Sequence, residues 1–256
     1  MKKLNEYIKE LNMINVKIKH NKEFKINLII ILPILHLLKE YDLMNNKEMK
    51  MILNNESLKI KEIRYWKFSD FNRVSEKIDE YLSNFTNETI QLLPPEIDAQ
   101  SVDFLLYEIL INVYKHSKFK NAYLQIITHD NENIDICIFD NGIGIPKSFE
   151  ESSIEFINDS EAIFDAINGK TTDKEKYGLH GRGLNSATRI TTLGFDGEML
   201  IASGFGVCVV SSKGANTYSN SHEIKGTFVI LRIKNKKVNN LYEYLKFNKI
   251  KKIKED

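Results

Sequence analysis

Two segments restrict the architecture more than any bulk property of this chain. In Leu105-Leu106-Tyr107-Glu108-Ile109-Leu110-Ile111-Asn112-Val113-Tyr114-Lys115-His116, apolar residues recur at helical spacing while Glu108, Asn112 and His116 repeat every four residues. Side chains four apart share one helix face, so an acid, an amide and an imidazole form a polar stripe on an otherwise apolar helix. Downstream, the apolar run Ile134 to Phe139 reads as a strand and ends in Asp140-Asn141-Gly142-Ile143-Gly144. A third piece, Gly178-Leu179-His180-Gly181-Arg182-Gly183-Leu184, is a glycine-rich turn running into a helix. There, exposed backbone N–H groups and the positive end of the helix dipole can receive phosphate oxygens. A carboxylate and a carboxamide oxygen are hard ligands, suited to water and to a Mg²⁺ that holds phosphates. Together the three pieces read as a nucleotide site.

In this order and spacing they resemble the gyrase, heat-shock chaperone, histidine kinase and mismatch-repair ATPase superfamily (GHKL, the Bergerat fold), from about Phe68 to Lys234. In that family E-x-x-x-N is the N box, D-x-G-x-G the first glycine box and a lid ending in G-x-G the second. A Gly-Thr pair on the last strand completes the adenine pocket, and Gly226-Thr227 fits it. The style is closest to stand-alone, anti-sigma-type serine kinase members. The resemblance implies an α/β (α+β) two-layer sandwich, its mostly antiparallel sheet covered by helices on one face. It also implies ATP and Mg²⁺ as cofactors.

The resemblance further implies residue roles. Asp140 would accept a hydrogen bond from the adenine amine, with Thr227 supporting a bridging water, and Gly142 and Gly144 would let the backbone approach the base. Asn112 would offer its side-chain oxygen to Mg²⁺. Lys115, His116, Gly181, Arg182, Gly183 and Leu184 would lie along the phosphates. Glu108, one turn before Asn112, stands where hydrolytic and serine-kinase members carry a general base. Many histidine kinases have Asn there, a departure that favours activation of water or of a protein hydroxyl.

Plainer readings stand beside these. Glu108 could be a solvated helix residue and Asn112 a surface amide, although the apolar residues around them leave only a narrow solvent face. Lys115 and His116 could serve only to complement the helix dipole. Arg182 could be a surface base. Asp140-Asn141-Gly142 could be a hairpin turn, but the continuation Gly144-Ile145-Pro146 has no returning strand of alternating pattern.

The chain's 256 residues allow one domain of ordinary size plus a smaller one. A net charge of +1 implies no nucleic-acid partner. Its two cysteines, Cys137 and Cys208, lie in apolar strand-like runs without metal-ligand spacing, which fits free buried thiols in a reducing compartment. The longest apolar run, Leu28 to Leu38, is too short for a membrane span and contains Pro33 and His36, and nothing resembles a signal peptide. A cytoplasmic location is expected.

Three regions are expected. Residues 1–67 form a small α/β region, faintly similar to the STAS-type modules that accompany some members of the family. Its elements are a helix at Leu4 to Leu11, a strand at Ile14 to Ile18, a buried helix at Ile26 to Tyr41 and a strand near Glu48 to Leu53. Neither His20 nor His36 sits in a phosphoacceptor pattern. Residues 68–235 form the ATPase domain, in which Asp70 to Phe85 is an amphipathic helix and Asp98 caps the helix carrying Glu108. Ala122 to Thr128 and Ile134 to Phe139 are strands, and Phe149 to Asn168 is a connection with one helix. The stretch from Gly169 to Gly183 has the composition of a lid over ATP or of a surface loop. A helix at Leu184 to Leu193 and strands at Glu198 to Ala202, Gly206 to Ser211 and Thr227 to Ile233 complete the domain. Residues 236–256 form a basic C-terminal tail with a helix at Leu241 to Lys249.

Three functions fit these features. One is an ATPase or a kinase of a protein serine or threonine, with Glu108 as base. The second is an ATP-gated switch that binds a protein with little turnover, and the third is an orphan histidine kinase catalytic domain acting in trans. The expected partner is a STAS-type or other regulatory protein, or a second copy of the chain.

Overall fold

The computed structural model describes residues 3–19, 59–63, 71–129, 132–172 and 183–253. The residues expected to form a helix at Ile26 to Tyr41 and a strand at Glu48 to Leu53, together with His20, His36, Gly181 and Arg182, lie outside this set.

Helix α1 (Leu4–Lys19) is followed by strand β1 (Lys59–Ile63) and by helices α2 (Phe71–Ile90) and α3 (Ala99–His116). Strands β2 (Ala122–His129) and β3 (Asn133–Asp140) come next, then helices α4 (Gly144–Glu151), α5 (Asp159–Ile167) and α6 (Gly183–Arg189). A π-helical turn, Ile190–Gly194, extends α6 before strands β4 (Glu198–Ser211) and β5 (Gly214–Lys234) and the short helix α7 (Tyr242–Leu245). The strands form one antiparallel sheet in the order β1-β2-β3-β5-β4. The molecule is an α/β two-layer sandwich. Strand β1, on the N-terminal side of the boundary expected near Trp66, pairs with β2 and forms one edge of this sheet.

Strand β3 is buried along nearly its whole length because both faces of the sheet are covered. Ile134, Ile136 and Ile138 join Leu231, Ile233, Met199 and Ile201 in the main core under α2, α3 and α6. The alternate residues of β3 point the other way. On that face Asp135, fully buried, receives two hydrogen bonds from Arg232, each 2.8 Å long. The Arg232 guanidinium lies 5.7 Å from the Tyr7 ring centroid, which brings α1 over this side. Leu4, Tyr7, Ile8 and Leu11 are the buried stripe of α1.

Several expected elements differ. Ile14 to Ile18 is helix, not strand: its alternating β-branched residues suggested extension, but α1 is already fixed on the sheet by its stripe, and Asn12 bonds to Asn220 and Ser221. The one helix expected between Phe149 and Asn168 is α5, whose start Asn158 caps by accepting from Glu161 N at 3.0 Å, while α4, which begins at Gly144, is an additional helix ahead of it. Strand β4 runs through Ala202 to Gly206 with register shifts instead of breaking there. Its partner β5 begins at Gly214, where polar residues such as Asn216, Ser219 and Ser221 conceal a hairpin arm. Only Tyr242–Leu245 of the expected C-terminal helix is helical, because the backbone beyond it bonds to α5, α6 and β5.

Candidate functional site

Helix α3 is fixed at both ends. Asp98 Oδ1 accepts from Ser101 N at 3.3 Å while its Oδ2 accepts from Val238 N at 3.0 Å, tying the helix start to the chain beyond β5. At the other end, Ser117 O accepts from Ile143 N at 2.7 Å, so the segment after β3 is stitched to the helix terminus. This contact explains Gly142: a Cβ there would lie 2.0 Å from Ser117 O. Gly142 is thus packed against Ser117, itself a residue of the cavity lining.

A cavity of about 500 Å³ opens between α3, the end of β3 and the start of α6. Glu108, Asn112, Lys115, His116, Asp140, Gly144, Gly183, Leu184 and Thr227 all line it, brought together from four stretches of sequence. Asn112 Nδ2 donates to Glu108 O at 2.7 Å, which commits the amide nitrogen to the helix and leaves Oδ1 as the group to offer a ligand. The Glu108 carboxylate is pressed against the start of α6, since a Cβ on Gly183 would lie 1.8 Å from its Oε2. His116 Nδ1 is 2.9 Å from Thr172 Oγ1.

Asp140 is 2 % exposed. Burial pushes its carboxyl up to about 7, against the opposing effect of hydrogen bonds from Gly142 N–H, the Ser117 side chain and Thr227 N–H. Asp140 and Thr227 are direct partners across β3 and β5. Beside them, Gly226 has φ +87°, and a Cβ on it would lie 1.9 Å from Asp140 O, so only glycine fits. Gly144, at φ +77°, is held by Ser203, whose hydroxyl accepts from Ile145 N at 2.9 Å and donates to Gly226 O at 2.7 Å.

Sequence reasoning missed Ser117 and Ser203, whereas Thr172 lies in the stretch expected to form a lid or a surface loop. Ser203 gave no signal, being one serine in an apolar strand; Ser117 had only its place just after the polar-striped helix. Lys170, in the same stretch, lines the cavity and is held by Glu155 O at 2.6 Å and Asp165 at 3.0 Å.

Among the described residues no group of three or more His, Cys, Asp or Glu side chains could hold a metal ion. No helix among the described residues is long and apolar enough to cross a membrane. Cys137 and Cys208 are buried free thiols.

No curated protein matches the chain. Among solved structures, a mycobacterial sensor histidine kinase, MprB, is similar at 13 % identity and a TM-score of 0.33, over 62 % of this chain and 97 % of that one. The profile of one family, described as histidine kinase-, DNA gyrase B- and HSP90-like ATPase, matches residues 97–237, a span that takes in α3, both glycine segments and Thr227. With more than half of its length matched, the chain belongs to the histidine kinase-, DNA gyrase B- and HSP90-like ATPase family.

Proposed function

We propose that this cavity binds Mg²⁺-ATP and that Glu108 is the general base for transfer of the γ-phosphoryl group to water or to a serine or threonine of a partner protein. The observation that carries the reading is the convergence of Glu108, Asn112, Asp140 and Thr227 on one cavity of nucleotide size. In this reading the adenine amine donates to Asp140, whose accompanying N–H donors hold its charge once the base covers it. Asn112 Oδ1 would help to hold a Mg²⁺, whose charge would offset part of that of the phosphates. Glu108 then receives the proton of the attacking hydroxyl, so that O–P bond formation and release of ADP leave that proton on its carboxylate. Lys115, His116, Gly183 and Leu184 are the lining residues assigned to the phosphates in this reading, and Gly181 and Arg182 of the second glycine box are proposed as further phosphate ligands.

The test is Glu108→Gln, which keeps size and hydrogen bonding but not basicity. Nucleotide binding should stay within about threefold of wild type while phosphate release or transfer falls by 10²-fold or more, in the range typical of a lost general base. If turnover is unchanged in Glu108→Gln, the carboxylate is not the base. If the wild type binds ATP yet turns over nothing with or without candidate partners, the ATP-gated binding switch replaces the enzyme reading.

A further inference from the structure

The C-terminal segment from Tyr244 to Ile253 is held by a set of hydrogen bonds that converge on the walls of the cavity. Asn185 is fully buried in the first turns of α6. Its Nδ2 donates to Ile167 O, the last residue of α5, and to Asn248 O, both at 3.1 Å, while its Oδ1 accepts from Asn248 N at 3.4 Å. Asn168, just past the end of α5, repeats the pattern two residues along: Oδ1 accepts from Ile250 N at 2.8 Å and Nδ2 donates to Ile250 O at 3.3 Å. Two side-chain amides thus pair with the backbone of residues 248 and 250 as a neighbouring strand would. On the opposite edge, Lys251 O accepts from Ala215 N at 2.9 Å and Ile253 N donates to Ala215 O at 2.8 Å. Arg189 adds a bond to Tyr244 O at 3.1 Å and another to Lys246 O.

We propose that this segment is a strap that positions the nucleotide site, with Asn168 and Asn185 as its positioning residues; the inference rests on reading the cavity as a nucleotide site. Asn185 lies two residues after Gly183, which abuts the Glu108 carboxylate, and one residue after Leu184, which lines the cavity. Asn168 precedes Lys170, Thr171 and Thr172 on the facing wall, and the segment contributes Leu245 to the lining itself. A bound nucleotide would contact both walls, and both walls are fastened to this one segment. Ordering one therefore orders the other, and by linkage the strap should be steadier when nucleotide is bound.

The experiment uses the full chain with Mg²⁺-ADP as the probe. Hydrogen exchange at the amides of Asn248, Ile250 and Ile253 should slow on adding Mg²⁺-ADP. A strap that merely supports the fold would exchange at the same rate with and without it. In parallel, Asn168→Ala, a half-exposed site that should not endanger folding, is expected to bind Mg²⁺-ADP about tenfold more weakly, equivalent to ~1.4 kcal/mol. Asn185→Ala should weaken it at least as much, while Lys249→Ala, an exposed strap residue outside these bonds, should leave affinity unchanged. Wild-type affinity in Asn168→Ala together with indifferent strap amides would overturn the inference. Absence of Mg²⁺-ADP binding by the wild type would instead overturn the reading of the cavity.

Discussion

Asp140 is where stability and binding oppose each other. Its carboxyl titrates near 7 in the native state against an ordinary value of 3.8. The native state therefore holds a proton that the unfolded chain has released between those values. Stability from this group is full below 3.8 and is lost as the pH rises through about 7. Asp140→Asn, which cannot ionise, should raise the melting temperature of the ligand-free protein at pH 8 and change it little at pH 3.5, as thermal unfolding at the two pH values would show. Equal effects at both would mean that the buried charge is not the cause. Nucleotide affinity should run the other way. An adenine amine needs the carboxylate, so binding of a fluorescent ATP analogue should weaken as the pH falls from 8 to 6, and Asp140→Asn should abolish that dependence. Asp140, Glu108 and Asn112 were legible in the sequence because each carries its chemistry in a short spaced pattern. Ser203, Ser117 and Asn185 were not, because they act through partners 23, 23 and 63 residues away, a separation that no local pattern encodes.

At the scale of elements, the two faces of the sheet should separate stability from binding. Asp135 and Arg232 form a buried pair on the α1 side, and breaking such a pair by removing one partner costs about 3–5 kcal/mol. Asp135→Ala should therefore lower the melting temperature markedly while leaving ATP affinity within about twofold, since the cavity lies on the other face. A matching loss of affinity would show that the faces are not independent. Gly226→Ala should damage both properties at once, because the new methyl group would meet the backbone of Asp140 itself. The long, strongly periodic α2 and α3 and the apolar β3 were readable from residue type. The errors fell where pairing decides conformation. The polar first half of β5 carries no strand pattern of its own, and the end of α1, expected as a strand, is helix because tertiary contact outweighs β-branched propensity. The C-terminal segment carries a helical pattern of apolar and basic residues. It is not helical from Phe247 onward, because Asn168, Asn185 and Ala215 offer its backbone better partners.

At the scale of the whole molecule, an antiparallel sheet with its main helical layer on one face leaves a large cleft between α3, the end of β3 and the start of α6, lined by residues from the segments that the family profile spans. The central claim is that this cleft takes an adenine nucleotide through Asp140. Thermal unfolding of the intact chain with and without Mg²⁺-ATP, alongside Asp140→Ala, tests it most directly. Ligand at about a hundred times its dissociation constant should stabilise the wild type by roughly 2.7 kcal/mol, a shift of several degrees, and leave Asp140→Ala where it was. No shift in the wild type, or an equal shift in both proteins, would contradict the account.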